Sequence, residues 1–581
     1  MKKHLILFTF LSAIFTANIF SQASIDPSHV FYSNVERWEI MGIISQQPPL
    51  RPYNLNVIEG ILTQVIQSDN EKESQTAQEL YDEIFNVKPK FKFQTEANVK
   101  FEDDDLKKQL VILSGVDGDY SFSDLVSLGY RADIAVTNNR STDSLPYFSP
   151  QSYFFHDPAK IKSLKLCLEI DSGISIGNEN LYAQMGINRN SFGSFYDNSA
   201  VLSPDAKHTA NFSFVWRNDW LSFTHAMIGL SASSSVDDDL FPQKFLAINS
   251  LNADLFDWLS ASYYEVMIYG GRFEPAYLIP APFMVTQGIS GYDDNLLMGL
   301  SFDIKPFKNF VWNNNFFIDD LGVNELVKFN FDTKIRGAFQ TAVKYIPASI
   351  SWIDMLSVNY TLITPYMYSH SQSIADPYTG KAMLGSLSAI NYQQYTTAAA
   401  PLGLSLPPNS DSVSISATFT PINRLKIDLN LSYTRHANVN ESITLDEAVA
   451  YLNSPEGYLA TDGTINNHPH FLPEGDASKE GEYLDSAWDH LLLLSQPTKM
   501  QIFRADIDAE YSIARTQFGA FSFTLGYSFE YINNYGVDKD IYPGTGGGKT
   551  KEDAKKALAE WRNNLTDVYA NYLRFGFKYV W

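Results

Sequence analysis

Two histidines and two runs of aspartate are the residues best suited to metal chemistry. His468 and His470 stand two apart in a stretch near Asp462. A zinc site wants four donors, and this stretch offers too few. Asp103-Asp104-Asp105 and Asp237-Asp238-Asp239 are carboxylate runs of a kind that can hold calcium; both fall in predicted turns, where solvation alone accounts for them. Ser, His and Asp are plentiful, but a serine nucleophile of the Gly-x-Ser-x-Gly kind does not occur. Gly548-Lys549-Thr550 ends like a phosphate loop, yet Pro543 stands where that motif requires its first glycine, and no buried parallel strand precedes it. The single cysteine, Cys167, excludes an intrachain disulfide framework and reads as a solvated or lumenal thiol on the polar side of a strand. No catalytic residue, metal or cofactor is expected, and the chain is not read as an enzyme.

A more specific set lies in the middle of the chain. Leu259 to Tyr269 reads as a strand with Tyr264, Val266 and Ile268 toward lipid and Tyr263, Glu265, Met267 and Tyr269 on the other face. A carboxylate among tyrosines needs water or a partner, and Arg272, just after Gly270-Gly271, is the expected one. The strand from Leu296 sends Met298, Leu300, Phe302 and Ile304 outward, and so points Asp293 and Asn295 inward. The next strand ends at Ile318-Asp319-Asp320. Together with Arg189 and Arg217, the expected ligand-binding set is Arg189, Arg217, Glu265, Tyr269, Arg272, Asp293, Asn295, Asp319 and Asp320. A purely structural account competes with it: inward polar residues can brace or fill a lumen by satisfying one another.

The elements that must carry these residues are strands of period two. Phe91, Phe93, Thr95, Ala97, Val99 and Phe101 alternate with Lys92, Gln94, Glu96, Asn98, Lys100 and Glu102, which is the pattern of a strand with lipid on one face and water on the other. The same alternation recurs around residues 164–171, 335–345, 413–419, 425–433, 503–513 and 521–531. It ends with Leu573, Phe575, Phe577, Tyr579 and Trp581, a strand running flush to the last residue. Segments of about 9–11 residues suffice to cross, and counting candidates predicts an all-β transmembrane barrel of about 16–18 antiparallel strands over residues 91–581. The terminal aromatic resembles the signal by which barrel-assembly machinery recognises outer-membrane proteins.

The remainder is of two kinds. Lys2 and Lys3, an apolar run from Leu5 to Phe20 and Ser21-Gln22-Ala23 form a signal peptide over residues 1–23. Residues 24–90 carry helical spacing: Val30, Phe31, Val35, Trp38 and Met41, then a second helix capped by Asn54, then a third opened by Ser74. This reads as a small N-terminal helical domain in the periplasm. Long insertions near 370–410 and 437–498 exceed ordinary loop lengths and are placed outside the cell. The second holds helices near Leu445 to Leu452 and Asp485 to Leu494, and a charged helix follows Gly548. Composition agrees. Of 581 residues, 14% are aromatic and 19% charged, with a mean hydropathy of -0.18; a chain rich in aromatics but not hydrophobic overall suits a barrel. A net charge of -23 excludes nucleic acid as a partner, because a phosphate backbone needs a basic footprint.

The run Glu265, Tyr269-Gly270-Gly271-Arg272, Tyr277-Leu278-Ile279-Pro280, Asp294-Asn295 and Ile318-Asp319-Asp320 resembles the Wzi family of capsule-assembly outer-membrane proteins. Gly186-Ile187-Asn188-Arg189, the Asn211 to Arg217 strand and Met41-Gly42-Ile43-Ile44 before Pro48 fit the same family. The likeness covers roughly 181–320 and the helical start, and fades over the C-terminal half. It implies an eighteen-stranded barrel with a periplasmic helical bundle that binds surface polysaccharide. Loop aromatics for that role are Tyr378, Tyr392, Tyr395, Tyr451, Tyr458 and Trp488. Two alternatives stay open: a diffusion porin, and a barrel tethered to peptidoglycan, since Trp38 and Gly42-Ile43-Ile44 also resemble one S-layer-homology unit. The expected partners are outer-membrane lipid, the barrel-assembly machinery, surface polysaccharide and, through residues 24–90, peptidoglycan.

Overall fold

In the computed structural model, residues 25–85, 90–102, 105–123, 125–138, 159–161, 164–206, 209–232, 243–279, 294–320, 336–369, 392–397, 400–439, 441, 444–453, 462–464, 492–516, 519–536, 541–542, 544 and 547–581 are described. The segment 1–23, His468, His470, the Asp237 run, Asp103, Asp104, Asp293, Tyr378, Tyr458, Trp488 and most of 485–494 lie outside the described residues.

Among the described residues, eighteen antiparallel strands close into one barrel, and a three-residue strand, Ala159–Ile161, adds a short pairing beside Leu164–Leu166. The first half of the eighteen comprises β1 (Lys90–Glu102), β2 (Asp105–Ser121), β3 (Val126–Thr137), β4 (Leu164–Gly177), β5 (Leu181–Asn188), β6 (Thr209–Arg217), β7 (Leu221–Ser231), β8 (Gln243–Phe256) and β9 (Leu259–Gly270). The second half comprises β10 (Asn295–Ile304), β11 (Phe310–Asp320), β12 (Arg336–Tyr345), β13 (Ile353–Ile363), β14 (Ser410–Ile422), β15 (Leu425–Ala437), β16 (Lys499–Thr516), β17 (Gly519–Tyr535) and β18 (Thr566–Val580). The seam is made by β18 on β1, from Lys92 opposite Val580 to Glu102 opposite Ala570. Phe91 and Trp581 exchange backbone hydrogen bonds of 2.9 and 2.8 Å, so the terminal strand leaves no unpaired edge.

One end of the barrel carries short turns. Asn178 and Asn218 each fold their side-chain oxygen onto two following backbone N–H groups, which sets a tight turn without help from elsewhere. The other end carries the long connections, including those after β9, β13, β15 and β17. Outward side chains form a continuous apolar band: Ile170, Ile415, Leu525 and Phe575 are all more than half exposed on the isolated chain. An apolar surface of this extent belongs in lipid rather than water. With its closed sheet and few helices, the fold is a barrel of the outer-membrane type.

The N-terminal segment forms α1 (Val30–Met41), α2 (Leu55–Ile66) and α3 (Glu71–Phe85). His29 and Asn54 cap the first two through their side chains, and Gly42 ends α1 at φ 71°, the left-handed conformation glycine adopts without a Cβ penalty. Helix α3 starts three residues before Ser74, because Asn70 already offers its side-chain oxygen to the N–H of Glu73. The helices pack into the short-turn end of the lumen. Phe31, Tyr32, Val35, Trp38, Val57, Ile58, Leu62 and Leu80 share a core with Tyr182 of β5 and Val215 of β6. Wall residues hold them by charge: Lys72 reaches Asp354 at 2.7 Å, Lys344 pairs with Glu36, and Arg131 meets Asp26 at 3.1 Å.

A second filling lies deeper. Residues 191–206, 366–369, 392–397 and 400–406 run inward and bury Leu202, Met367, Tyr368, Tyr395, Leu402 and Leu404 against the inner wall. That wall includes Tyr264, Val266 and Ile268 of β9, which corrects the expected facing of this strand. Tyr264 donates to Asn315 in the lumen at 2.5 Å, while Tyr263 stands opposite the exposed Leu300. Glu265 and Tyr269 therefore point away from the lumen. Tyr395, expected in an outer loop, is fully buried inside the barrel.

Candidate functional site

The two glycines after β9 decide the local geometry at the long-loop end. A Cβ on Gly270 would overlap the ring of Tyr392 and lie 2.8 Å from the carbonyl oxygen of Gln243. Only a residue without a side chain lets the 392–397 segment approach so closely. Gly271 sits at φ 73° and donates to the Gln243 carbonyl at 2.8 Å, turning the chain outward so that Arg272 emerges at the rim.

Arg272 donates through both terminal nitrogens to Asp294, at 3.1 and 2.5 Å. A forked pair of this kind is both stronger and more directional than a single contact. Tyr277 donates to the same carboxylate at 2.7 Å, and Glu274 lies 3.7 Å from the guanidinium. The hydrogen bond to Asp294 holds the Arg272 guanidinium above its ordinary pKa, against the opposing effect of burial. Burial and then the Asp294 hydrogen bond push the Tyr277 phenol up. Both groups therefore keep their protons across the physiological range.

Aromatic rings surround this clamp. Tyr269 stacks on Phe245 at 5.4 Å and meets Tyr277 at 4.8 Å. Arg272 lies 5.8 Å from the Tyr269 ring centre. Phe273 packs edge-on to Phe245 at 5.8 Å and is half exposed. On the lumenal side the 392–397 segment is pinned by Lys244, which donates to the carbonyls of Gln394 and Thr396 at 2.7 and 2.8 Å, and by Asn295, which donates to Gln393 at 2.9 Å. The rim thus presents a fixed, one-third-exposed cation, an exposed ring at Phe273 and the half-buried Tyr392, with the Asp294 carboxylate nearly buried beneath the guanidinium it fixes. Such a surface suits a neutral or polar hydroxylated ligand, whose apolar faces lie on rings while its hydroxyls meet charged donors and acceptors.

The expected residues do not converge on one site. Arg272 and Tyr269 belong to the rim cluster, and Asn295 positions it from inside. Arg189 is a brace, 2.8 Å from Glu169 and 3.7 Å from Asp26. Arg217 donates to Gln47 at 2.6 Å, tying the N-terminal segment to β6. Asp319 accepts from the backbone N–H of Tyr368 at 3.1 Å, inside the lumen. The backbone of Asp320 stands opposite Arg336. Glu265 is fully buried on the outer face of the wall and accepts from Tyr263 at 2.7 Å; it is not the partner of Arg272. Asp294 takes that role. The sequence carried the signal, since Asp294 shares the parity of the outward Leu296, Met298 and Leu300, but the mistaken facing of β9 concealed it. Cys167 is lumenal as expected, though buried rather than solvated.

No known family matches this chain, and no curated protein does. Among solved structures it is similar to Wzi from Escherichia coli, described as an outer-membrane protein involved in group 1 capsule assembly and a carbohydrate-binding β-barrel. The identity is 10%, the match covers 95% of this chain and 98% of that one, and the TM-score is 0.51. It also matches OprD from Pseudomonas aeruginosa at 9% identity, covering 85% and 92% of the two chains with a TM-score of 0.38. OpdL from the same organism matches at 7% identity, over 85% and 98%, with a TM-score of 0.40. At such identities the likeness to Wzi is one of fold.

Proposed function

We propose that this chain is an outer-membrane barrel that binds surface polysaccharide at the rim cluster around Arg272 and helps that polymer attach to the cell. The helical segment then faces the periplasm, and the long connections face outward. The observation that carries the reading is the forked Arg272–Asp294 pair with Tyr277, set beside Phe273 and Tyr392 at the long-loop end. The fold-level likeness to a carbohydrate-binding barrel supports the choice of ligand class. The lumen is packed along its wall from β3 to β13, which weighs against a wide open diffusion pore. Helices α1 to α3 occupy the short-turn end, the inward loops occupy the middle, and the cavity between them, lined by Glu39, Arg51, Ser194, Asp303 and Asn313, has a volume of only about 40 Å³, room for a few waters at most.

A hydrogen bond from a charged group to the ligand contributes about 1.5–3 kcal/mol, roughly a tenfold to hundredfold change in affinity. Cells carrying Arg272→Ala are expected to retain at least tenfold less of their own surface polymer after washing, with unchanged amounts of folded barrel. Retention equal to that of the parent would refute the assignment.

A further inference from the structure

The lumen is filled on one side only. The N-terminal segment and the inward loops contact the inner faces of β3 to β13. There Asp303, Asn315, Gln340 and Lys344 are all buried, none more than 7% exposed. The inner faces of β15 to β18 are different. Lys426 and Asp428, near the short-turn end of β15, keep 42% and 45% of their side-chain surface. Asp508 and Arg574, midway along β16 and β18, pair with each other and still keep 40% and 46%. Their strand neighbours Ile507 and Phe575 face lipid, so Asp508 and Arg574 face the interior. Charged groups halfway through a barrel with this much free surface require water around them. Gly526 lies between them, and a Cβ there would stand 3.1 Å from Arg574 Nε; the missing side chain leaves room for the ion pair.

This solvated half narrows toward the long-loop end. Glu530, Tyr572, Thr434 and His436 are buried there. Above them lie α4 (Leu445–Asn453) and α5 (Lys551–Asn563), which belong to the connections between β15 and β16 and between β17 and β18. They form a separate small core with Val439, Leu452, Ile541, Tyr542 and Trp561. The cap thus sits on the strands that line the solvated half. A few polar bonds latch it to the strand ends. Glu441 accepts from Thr498 Oγ1 at 2.6 Å and from Arg562 Nε at 3.0 Å. Asn438, just past the end of β15, donates to the carbonyls of Thr498 and Asn534 at 2.7 and 3.0 Å, and so ties together the ends of β15, β16 and β17 on which the cap sits.

We propose that the water-filled half-lumen along β15 to β18 is a gated conduit for small hydrophilic solutes, and that the α4–α5 cap is its gate. Both signs of charge line the path, which suits small neutral or zwitterionic solutes and hydrated salt rather than a polymer. The inference does not depend on the polysaccharide reading. It concerns the opposite side of the barrel from Arg272.

The test uses the full chain in planar bilayers with potassium chloride as the probe. The parent is expected to stay closed, and Glu441→Ala combined with Asn438→Ala to show discrete conductance steps. In that background, with Cys167→Ser, a charged thiol reagent is expected to cut the conductance at least by half at Asp508→Cys and to leave it unchanged at Asn315→Cys. Loss of the latch without any conductance, in protein that retains the heat-modifiable mobility of a folded barrel, overturns the proposal. A second measurement does not involve the latch. With the cap intact, Asp508→Cys should react with a membrane-impermeant thiol reagent from the short-turn side while Asn315→Cys does not; an unreactive Asp508→Cys overturns it equally. Conductance by the parent itself would show that the cap does not close the conduit, and would overturn the gate as well.

Discussion

Glu73 shows how single side chains hold the N-terminal segment together. Its carboxylate is buried and accepts from Trp38 Nε1 at 2.8 Å and from Arg37 at 2.5 Å, so one acid on α3 fixes two residues of α1. Truncating one partner of a buried pair strands the other charge and costs about 3–5 kcal/mol. Glu73→Ala is therefore expected to expose residues 30–85 to trypsin while the barrel stays resistant; an unchanged cleavage pattern would remove Glu73 from that role. Asp26 gives the pH dependence. Burial alone would raise its pKa, but Arg189 and Arg131 hold it down at about 2, below the ordinary 3.8. A depressed acid stabilises fully above the unfolded value, and its contribution of about 2 kcal/mol is lost as pH falls from about 4 to about 2. Anchoring of the N-terminus should persist at pH 5 and weaken across that window, and Asp26→Asn should remove the dependence. Proteolysis of 25–29 with an acid-active protease follows both. The sequence showed which of these residues were polar and apolar. It did not show that Arg189 would reach back to Asp26, because that contact exists only once the helices enter the barrel.

At the scale of elements, strands with one wet face and one lipid face were readable and β9 was not. In β18, Leu573, Phe575, Phe577 and Tyr579 alternate with Arg574, Gly576 and Lys578, and the inner face is solvated, so the pattern names its faces. In β9 both faces are apolar: Tyr264, Val266 and Ile268 meet the inward loops, and Met267 and Tyr269 meet Met227 and Tyr277 on the outside. A strand buried on both sides has no alternation to read, and the lone carboxylate of Glu265 was assigned to the wrong face. For the same reason the inward course of 392–397 and 400–406 could not be foreseen from the tyrosines there. The face assignments make a direct prediction. Leu525→Arg places a charge in the lipid band and should cost about 2–4 kcal/mol near mid-membrane, whereas Ser528→Arg enters the solvated half-lumen and should cost far less. Urea titration of the barrel in lipid vesicles measures the difference, and equal costs would contradict the facing of β17.

At the scale of the whole molecule, one wall of the barrel is packed and the other is wet. The packed wall carries the N-terminal helices below, the inward loops at mid-height and the Arg272 cluster at the rim, so the candidate ligand site rests on the packed side of the barrel. A rigid support keeps a binding surface in place without spending affinity on ordering it. The wet wall carries the small latched cap. Binding by the purified full chain in lipid nanodiscs to polysaccharide extracted from the surface of the producing cell tests the central claim most directly. The parent should bind, and Arg272→Ala should bind at least tenfold more weakly with the barrel still folded; equal binding by the two, or none by the parent, would contradict the account.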